Sequence, residues 1–95
     1  MPNEIQPKSL NVRALIFMKL RQPHQYKASL AVIRGYIENK HMMNAQLSST
    51  TGAMDMFLTF DAESLEEIQD RVNDLRENLS QLIADTQTYV GSKLI

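Results

Sequence analysis

The sequence predicts an α+β fold in which a four-stranded antiparallel sheet is covered by two helices on one face. Apolar residues alternate along two segments, which is typical of strands, and recur every three or four residues along two others, which is typical of amphipathic helices. Two weaker strand patterns complete the order strand, helix, strand, strand, helix, strand. Strands are expected at 12–21, 42–50, 54–60 and 83–92, and helices at 26–39 and 65–79. This βαββαβ order is that of the ferredoxin-like fold.

The first strand has two different faces. One face is wholly apolar and the other is apolar only in its middle, at Leu15 and Phe17, with Arg13, Lys19 and Arg21 around them. This pattern predicts a central strand that helices cover on one side and a different surface covers on the other. Pro23 then ends the strand. The apolar face carries Val12, Ala14, Ile16, Met18 and Leu20.

The remaining elements follow from local signals. The first helix carries Leu30, Ile33 and Ile37 on one stripe. The polar segment 42–50 predicts an edge strand, and Gly52 predicts the turn into a second central strand at 54–60. The second helix begins with a capping box, Ser64 and Glu67, and the last strand contains IADTQTYV. The core stripe of the second helix is Leu65, Ile68, Val72, Leu75 and Leu79.

Because both helices lie on one face, the other face of the sheet is expected to be bare. It would expose Leu15, Phe17 and Phe57, an apolar patch too large to leave in water. A chain of 95 residues is also marginally stable alone and gains from a partner subunit. The sequence therefore predicts a homodimer that packs two sheets face to face.

Composition excludes several classes of protein. The chain has no cysteine, which removes disulfides, thiolate zinc sites and cysteine nucleophiles. No apolar run spans a bilayer and no signal peptide is apparent, so a cytoplasmic protein without membrane contact is expected. Residues 1–41 carry seven Lys/Arg against two acids (+5), and residues 42–95 carry three against nine (−6). The cations are spread singly, so we do not expect this chain to bind DNA.

No catalytic signature is evident. His24 and His41 lie at opposite ends of the first helix, match no metal-ligand spacing and are expected in solvent. No phosphate loop, nucleophile elbow or zinc motif is present. The acidic residues of the second helix fit its solvated face. The sequence therefore predicts a protein that is not an enzyme and holds no metal or cofactor.

The stretch SSTTGAMD suggests a small-molecule site. A turn at Gly52 can expose backbone N–H groups to a carboxylate, and Asp55 could meet an ammonium, so the two fit the ends of a free amino acid. Alternatively, Asp55 accepts hydrogen bonds from Ser/Thr hydroxyls and only holds the hairpin. The residues alone leave both interpretations open.

The segments TGAMDMFLTF, SLEEI and DTQTYV resemble the C-terminal effector-binding (RAM-type) domain of the leucine-responsive and asparagine-responsive (Lrp/AsnC) transcription regulators. Thr51, Gly52 and Asp55 match the family's T-G-x-x-D turn. Asp85, Thr86 and Thr88 match its D-T-x-T segment, and the likeness covers residues 12–95. Between Gly and Asp, where the family often has a polar residue and an aromatic, this chain has Ala53 and Met54.

The resemblance implies a ferredoxin-like domain that dimerises through its sheet and assembles further into tetramers of dimers. It also implies an effector, commonly an amino acid, bound near Thr51, Gly52 and Asp55, with Thr86 and Thr88 as weaker members of the pocket. Residues 1–11 would form a short tail too small for the family's helix-turn-helix, so a stand-alone effector domain is expected. A full-length regulator of the same family is a further expected partner.

The sequence is also compatible with two other functions. Dimeric ferredoxin-like barrels also include small monooxygenases and isomerases, which would need His24, His41 or Tyr36 to point into a shielded cavity. A purely structural assembly module is the other alternative. Sensing is the first expectation, with loss of ligand response expected for Asp55→Ala without unfolding.

Overall fold

The computed structural model describes residues 10–92. Residues 1–9, most of the predicted tail at 1–11, lie outside this range. The element order βαββαβ is confirmed, with a short 3₁₀ turn at Pro23–Gln25 ahead of the first helix. The strands are β1 Val12–Leu20, β2 Met43–Ser49, β3 Met56–Ala62 and β4 Ile83–Ser92, and the helices are α1 Tyr26–Asn39 and α2 Leu65–Asn78. No helix within residues 10–92 is long and apolar enough to cross a membrane.

The four strands form one antiparallel sheet in the order β2-β3-β1-β4. The alternating strands β1 and β3 therefore lie at the centre, and the polar strand β2 lies at an edge, as predicted. Phe17 pairs with Phe57 on β3 and with Gln87 on β4. Leu15 likewise pairs with Thr59 on β3 and with Tyr89 on β4. Residues paired in this way point to the same face of the sheet.

The helix-covered face of the sheet forms the core. Ile16 and Leu58 have no solvent-exposed surface, and Phe60 is almost completely buried. Both helices pack on this side through Ile33 and Leu75. Other buried members of the core are Ala14, Met18, Leu20, Ile37, Met42, Met56, Ala62, Ile68, Val72, Leu79 and Ile83.

The capping box of α2 is confirmed. The Ser64 hydroxyl accepts a hydrogen bond from the Glu67 backbone N–H at 3.2 Å, and the Glu67 carboxylate accepts one from the Glu63 N–H at 3.1 Å. The assignment of Leu65 to the core was wrong, since its side chain is 52% exposed. It occupies the first position of the helix, before the apolar stripe reaches the sheet at Ile68.

The third strand begins two residues later than predicted, at Met56 instead of residue 54. The Thr50 backbone N–H donates to the Asp55 carbonyl at 3.1 Å and closes the intervening residues into a loop. Met54 and Asp55 therefore lie in this loop and not in the strand. Periodicity cannot locate that boundary, because the alternation of apolar residues begins before the ladder does.

Candidate functional site

The loop between β2 and β3, residues 50–55, is closed by its own hydrogen bonds. Besides the contact between Thr50 and Asp55, the Thr50 hydroxyl donates to the Met54 carbonyl at 2.8 Å. Gly52 has a φ of +108°, a conformation that side-chain-bearing residues rarely adopt. The predicted turn at Gly52 is therefore present, and the hydroxyl residue ahead of it holds the loop together.

Asp55 attaches this loop to the end of β1. Its carboxylate oxygen Oδ2 accepts a hydrogen bond from the Leu20 backbone N–H at 2.8 Å. Its own N–H donates to the Met18 carbonyl at 2.9 Å. Leu20 lies where the pairing of β1 with β4 shifts register. Asp55 thus binds a backbone amide from a distant strand and not the nearby hydroxyls; its contact with a ligand remains a prediction.

The side of the sheet away from the helices, called here the open face, carries an aromatic cluster. The ring centroids of Phe17 and Phe57 lie 5.7 Å apart at a 50° tilt, and Tyr89 packs edge-on against Phe17 at 5.9 Å. Leu15, Phe17 and Phe57 are only half-buried in the single chain, and Tyr89 is 56% exposed. Offset and edge-on pairs of this kind are favourable ring geometries.

A concavity of about 320 Å³ lies where the loop meets the open face. The predicted residue Thr51 lines it, and Gly52 lies between two lining residues, Thr51 and Ala53. The lining combines apolar side chains with hydroxyl and amide groups and contains no charged residue. It consists of Phe17, Thr50, Thr51, Ala53, Met54, Gln87 and Tyr89. Most of these residues could not be predicted from the sequence, because the loop had to be placed over the sheet first.

Thr86 and Thr88 lie on the other face of the sheet. They pair with Met18 and Ile16, whose side chains belong to the helix-side core. Asp55 flanks β1 on the β3 side, whereas the D-T-x-T segment flanks it on the β4 side. With strands about 4.8 Å apart, the two motifs reach the same end of the sheet, roughly 10 Å from each other.

A second cavity, of about 470 Å³, lies on the helix side and includes Thr86. At the border of this cavity, the Arg21 Nε donates a hydrogen bond of 2.7 Å to the Ser80 carbonyl. Its lining is Arg21, Asn73, Arg76, Glu77, Ser80, Ile83, Ala84, Asp85 and Thr86. The structure therefore does not bring Thr86 and Thr51 into one cavity.

Charged groups hold both ends of the open face. At the start of β1, the Arg13 Nε donates to the Asp61 carboxylate at 2.9 Å, and the Asn44 amide donates to it at 2.7 Å. Asp61 is only 1% exposed, and its hydrogen bond and charge raise the pKa of Arg13. At the other end, the Lys19 ammonium lies 3.4 Å from the Ala53 carbonyl in the loop. No sequence signal marked Asp61, which follows Phe60 in an otherwise ordinary strand.

The three residues considered as catalytic candidates, His24, His41 and Tyr36, have separate surroundings. His24 and His41 are exposed at opposite ends of α1. The Tyr36 hydroxyl donates a hydrogen bond to the Asp74 carboxylate. Burial of Tyr36 and this hydrogen bond raise the pKa of Tyr36. Within residues 10–92, no group of three or more His, Cys, Asp or Glu side chains could hold a metal ion.

No protein-family model matches the chain, and no curated protein matches its sequence. Solved structures do match. AsnC from E. coli superposes with a TM-score of 0.69 at 20% identity, covering 100% of this chain and 62% of AsnC. A transcriptional regulator from Neisseria meningitidis, solved in complex with L-Met, superposes with a TM-score of 0.65 at 17% identity over 100% of this chain and 60% of its own.

The match is not limited to regulators. A protein described as an antibiotic biosynthesis monooxygenase from Bordetella bronchiseptica has a TM-score of 0.58 at 12% identity, covering 92% of this chain and 100% of its own. This chain spans about three fifths of the length of the two regulators. At these identities the comparisons show a shared fold: this chain has the ferredoxin-like fold found in AsnC-type regulators and in other families.

Proposed function

We propose that this chain is a non-enzymatic module that binds a small molecule, in the first place an amino acid, and couples that binding to self-association in transcription regulation. One observation carries the proposal: the concavity at residues 50–54 borders the uncovered aromatic cluster. A ligand in it would touch the same surface on which a second copy packs. It would therefore bind assembled and separate chains with different affinity, which is what coupling requires.

The partner proposed for the open face is a second copy of the chain. Leu15, Phe17 and Phe57 leave a half-buried apolar surface on the open face of the sheet, which no helix within residues 10–92 covers. Further association of dimers, and pairing with a full-length regulator of Lrp/AsnC type, belong to the same proposal. The proposed effector-binding and oligomerisation domain is residues 12–95.

The ligand class is supported by the size and lining of the concavity. About 320 Å³ lined by Phe17, Met54 and Tyr89 suits a small molecule with an apolar side chain. The matching Neisseria regulator was solved with L-Met. In this proposal Thr51 and the backbone beside Gly52 contact the ligand and Asp55 borders it. A role for Thr86 and Thr88, which lie on the other face of the sheet, stays a prediction.

The test combines a thermal-shift screen of the standard amino acids with mass measurement by light scattering. A ligand at about 100 times its dissociation constant should stabilise the fold by roughly 2.7 kcal/mol. It should also shift the mass distribution of the assembly. Constant melting temperature and constant mass with every amino acid would contradict sensing and favour a structural module.

Two matched variants test whether the ligand-induced stabilisation depends on the concavity. Ala53→Phe fills the concavity from the loop, and Ala31→Phe adds the same volume on the exposed side of α1. The proposal expects Ala53→Phe to abolish the ligand response and Ala31→Phe to keep it. Equal responses from both variants would place the ligand elsewhere.

The non-enzymatic part of the proposal is supported by the scatter of the candidate catalytic groups. His24 and His41 lie in solvent, and Tyr36 is bound to Asp74 between the helices. Catalysis requires groups that converge on one bound substrate. The proposal includes no direct contact of this chain with DNA or membranes, since its basic residues are spread singly.

A further inference from the structure

A third cavity, of about 360 Å³ and called here the β3-end cavity, lies between the end of β3, the end of α1 and the first half of α2. The loop at residues 50–55 precedes β3, so this cavity and the concavity at the loop lie at opposite ends of the strand, roughly 15–20 Å apart. We propose that the β3-end cavity binds an organic acid, with the apolar body of the acid on Met42 and Phe60 and its carboxylate on Arg71. This site is independent of the proposed function, because it uses other residues and takes another class of ligand.

The floor of the β3-end cavity is apolar and buried. Met42 is 9% exposed and Phe60 is 1% exposed, and both line the cavity. Leu10, which is half-buried, adds a further apolar side chain to the lining. Small-molecule sites usually combine an apolar lining of this kind with a few convergent polar groups. A ligand with an apolar body would therefore remove its own surface and that of the floor from water.

Two acidic residues, Asp61 and Glu67, also line the cavity, but both carboxylates have partners within the chain. The Asp61 carboxylate accepts hydrogen bonds from the Arg13 Nε at 2.9 Å and from the Asn44 amide at 2.7 Å. The Glu67 carboxylate accepts the Glu63 N–H at 3.1 Å as part of the capping box. A cationic ligand would have to compete with these contacts, so the acids do not favour one.

Arg71, in contrast, has no acidic partner. Glu67 precedes it by four residues on α2, a spacing at which opposite charges often pair, yet the Glu67 carboxylate caps the helix instead. Asp74, three residues after Arg71, accepts the Tyr36 hydroxyl and lies 3.3 Å from the Lys40 ammonium. No ion pair joins Arg71 to an acid in the part of the chain that the structure describes. A half-buried guanidinium thus lines the cavity without a counter-charge.

A carboxylate is the ligand group that fits this arrangement. The planar guanidinium of Arg71 can donate two parallel hydrogen bonds to it, and such charge-assisted contacts are stronger than those between neutral groups. Lys40 and His41 line the same cavity and add positive charge and N–H donors near its rim. The apolar floor and the unpaired guanidinium together therefore select an acid with an apolar body over a small inorganic anion or an amine.

The experiment uses three probes that share a phenylpropyl body and differ only in the polar end: 3-phenylpropanoate, 3-phenylpropan-1-ol and 3-phenylpropan-1-amine. Acetate, which has the carboxylate without the body, is the fourth. Binding to the ¹⁵N-labelled chain is followed through the backbone amides of Met42, Phe60 and Arg71. Wild-type protein should bind the acid about 10- to 100-fold more tightly than the alcohol, the factor expected for one charged hydrogen bond. The amine and acetate should bind more weakly than the acid.

Substitutions of Arg71 test the partner of the carboxylate. Arg71→Gln should bind the acid and the alcohol with similar affinity, because the positive charge is lost. Arg71→Lys keeps the charge without the planar pair of donors and should retain part of the preference for the acid. Arg34→Gln makes the same change at an exposed position of α1 and should keep the full preference of the wild type.

Several outcomes would overturn the inference. Wild-type protein that binds none of the probes, or binds the acid and the alcohol equally, would exclude an organic-acid site in this cavity. Shifts confined to the amides of Ala53 and Gln87 would place the acid in the concavity at the loop. A preference for the acid that survives in Arg71→Gln would remove Arg71 from the site. If Arg71→Gln does not fold, the probe series on the wild type and on Arg71→Lys still decides. A response to amino acids at the loop has no bearing on these results, so the proposed function stands or fails separately.

Discussion

At the scale of single residues, Asp55 shows how a carboxylate can hold a loop without a charged partner. Its Oδ2 accepts the N–H of Leu20 just where β1 and β4 shift register. That N–H would otherwise need another acceptor at the end of the strand. The shape of the concavity thus depends on a residue that does not line it.

Asp55→Ala should lower the free energy of unfolding by about 1–3 kcal/mol, because the Leu20 N–H loses its acceptor. Asp55→Asn keeps an oxygen in the same place and should cost less. Urea denaturation measures both variants, with Asp70→Ala on the exposed face of α2 as the control, expected within about 0.5 kcal/mol of wild type. Equal stability of Asp55→Ala and wild type would show that the contact with Leu20 contributes nothing.

His41, two residues beyond the last residue of α1, has a left-handed conformation with a φ of +52°. Its N–H donates to the Glu38 carbonyl at 3.2 Å, as in the motifs that close helices with glycine. A residue with a Cβ pays about 1 kcal/mol there, so His41→Gly should raise the unfolding free energy by about 0.5–1 kcal/mol. His24→Gly, at a residue without positive φ, should not, and a melting temperature lowered by His41→Gly would argue against this explanation.

At the scale of elements, the two helices are joined by a polar contact above the core. The Asp74 carboxylate of α2 accepts the hydroxyl of Tyr36 and lies 3.3 Å from the Lys40 ammonium at the end of α1. The Lys40 ammonium also lies 5.7 Å from the centre of the Tyr36 ring. These contacts connect residues of separate helices and therefore help to set how α1 and α2 lie on the sheet.

The contact predicts a stability loss. Tyr36→Phe removes the hydroxyl and retains the ring, so the unfolding free energy should fall by about 1–2 kcal/mol. Tyr26→Phe is the matched control, since none of the hydrogen bonds described for residues 10–92 involves its hydroxyl. Comparable losses from both substitutions would rule out a specific contribution from the Tyr36–Asp74 contact.

The same contact predicts a pH dependence. The hydroxyl of Tyr36 and the ammonium of Lys40 lower the pKa of Asp74 in the folded chain. The resulting stabilisation is present above the unfolded pKa, about 4, and is lost as pH falls through the lower folded pKa. Urea denaturation from about pH 7 to pH 2 should show this loss in wild type and a smaller one in Tyr36→Phe. Identical pH profiles would show that Asp74 gains nothing from Tyr36.

At the scale of the whole molecule, the sheet has one covered and one uncovered face. Both helices lie on the side of Ile16 and Leu58, whereas Leu15, Phe17 and Phe57 remain half-buried on the other. The aromatic cluster on this open face is ordered by ring contacts within the chain, so a partner would meet a preformed surface. Preformed surfaces associate at lower entropic cost than flexible ones.

Phe57→Glu should prevent the proposed face-to-face dimer, because it would bury an unpaired charge between two sheets. Analytical ultracentrifugation should then give the mass of a single chain at concentrations where wild type is dimeric. Val32→Glu, at a 50% exposed position on α1, should keep the wild-type mass. Circular dichroism checks that Phe57→Glu remains folded, and a folded variant that still dimerises would place the interface on another surface.

Much of the fold could be predicted because its signals are local. The alternation in β1 identified both of its faces, and Ser64 with Glu67 marked the start of α2, since strand and helix periods depend on near neighbours in the chain. The contacts of the candidate site were not predictable in this way. Asp55 and Leu20 are 35 residues apart, and Arg13 and Asp61 are 48 apart.

The sequence by itself determined the order of elements, the covered and uncovered faces of the sheet and the turn at Gly52. Only the tertiary structure decided that Asp55 would bind a backbone amide of β1, that Thr86 and Thr88 would face the helix side, and that Lys19 would reach the loop at Ala53. The periodicity of helices and strands and the formation of turns depend on residues that are close in the sequence. Which groups meet across β1 depends on strand register and loop closure, which exist only after the sheet has formed.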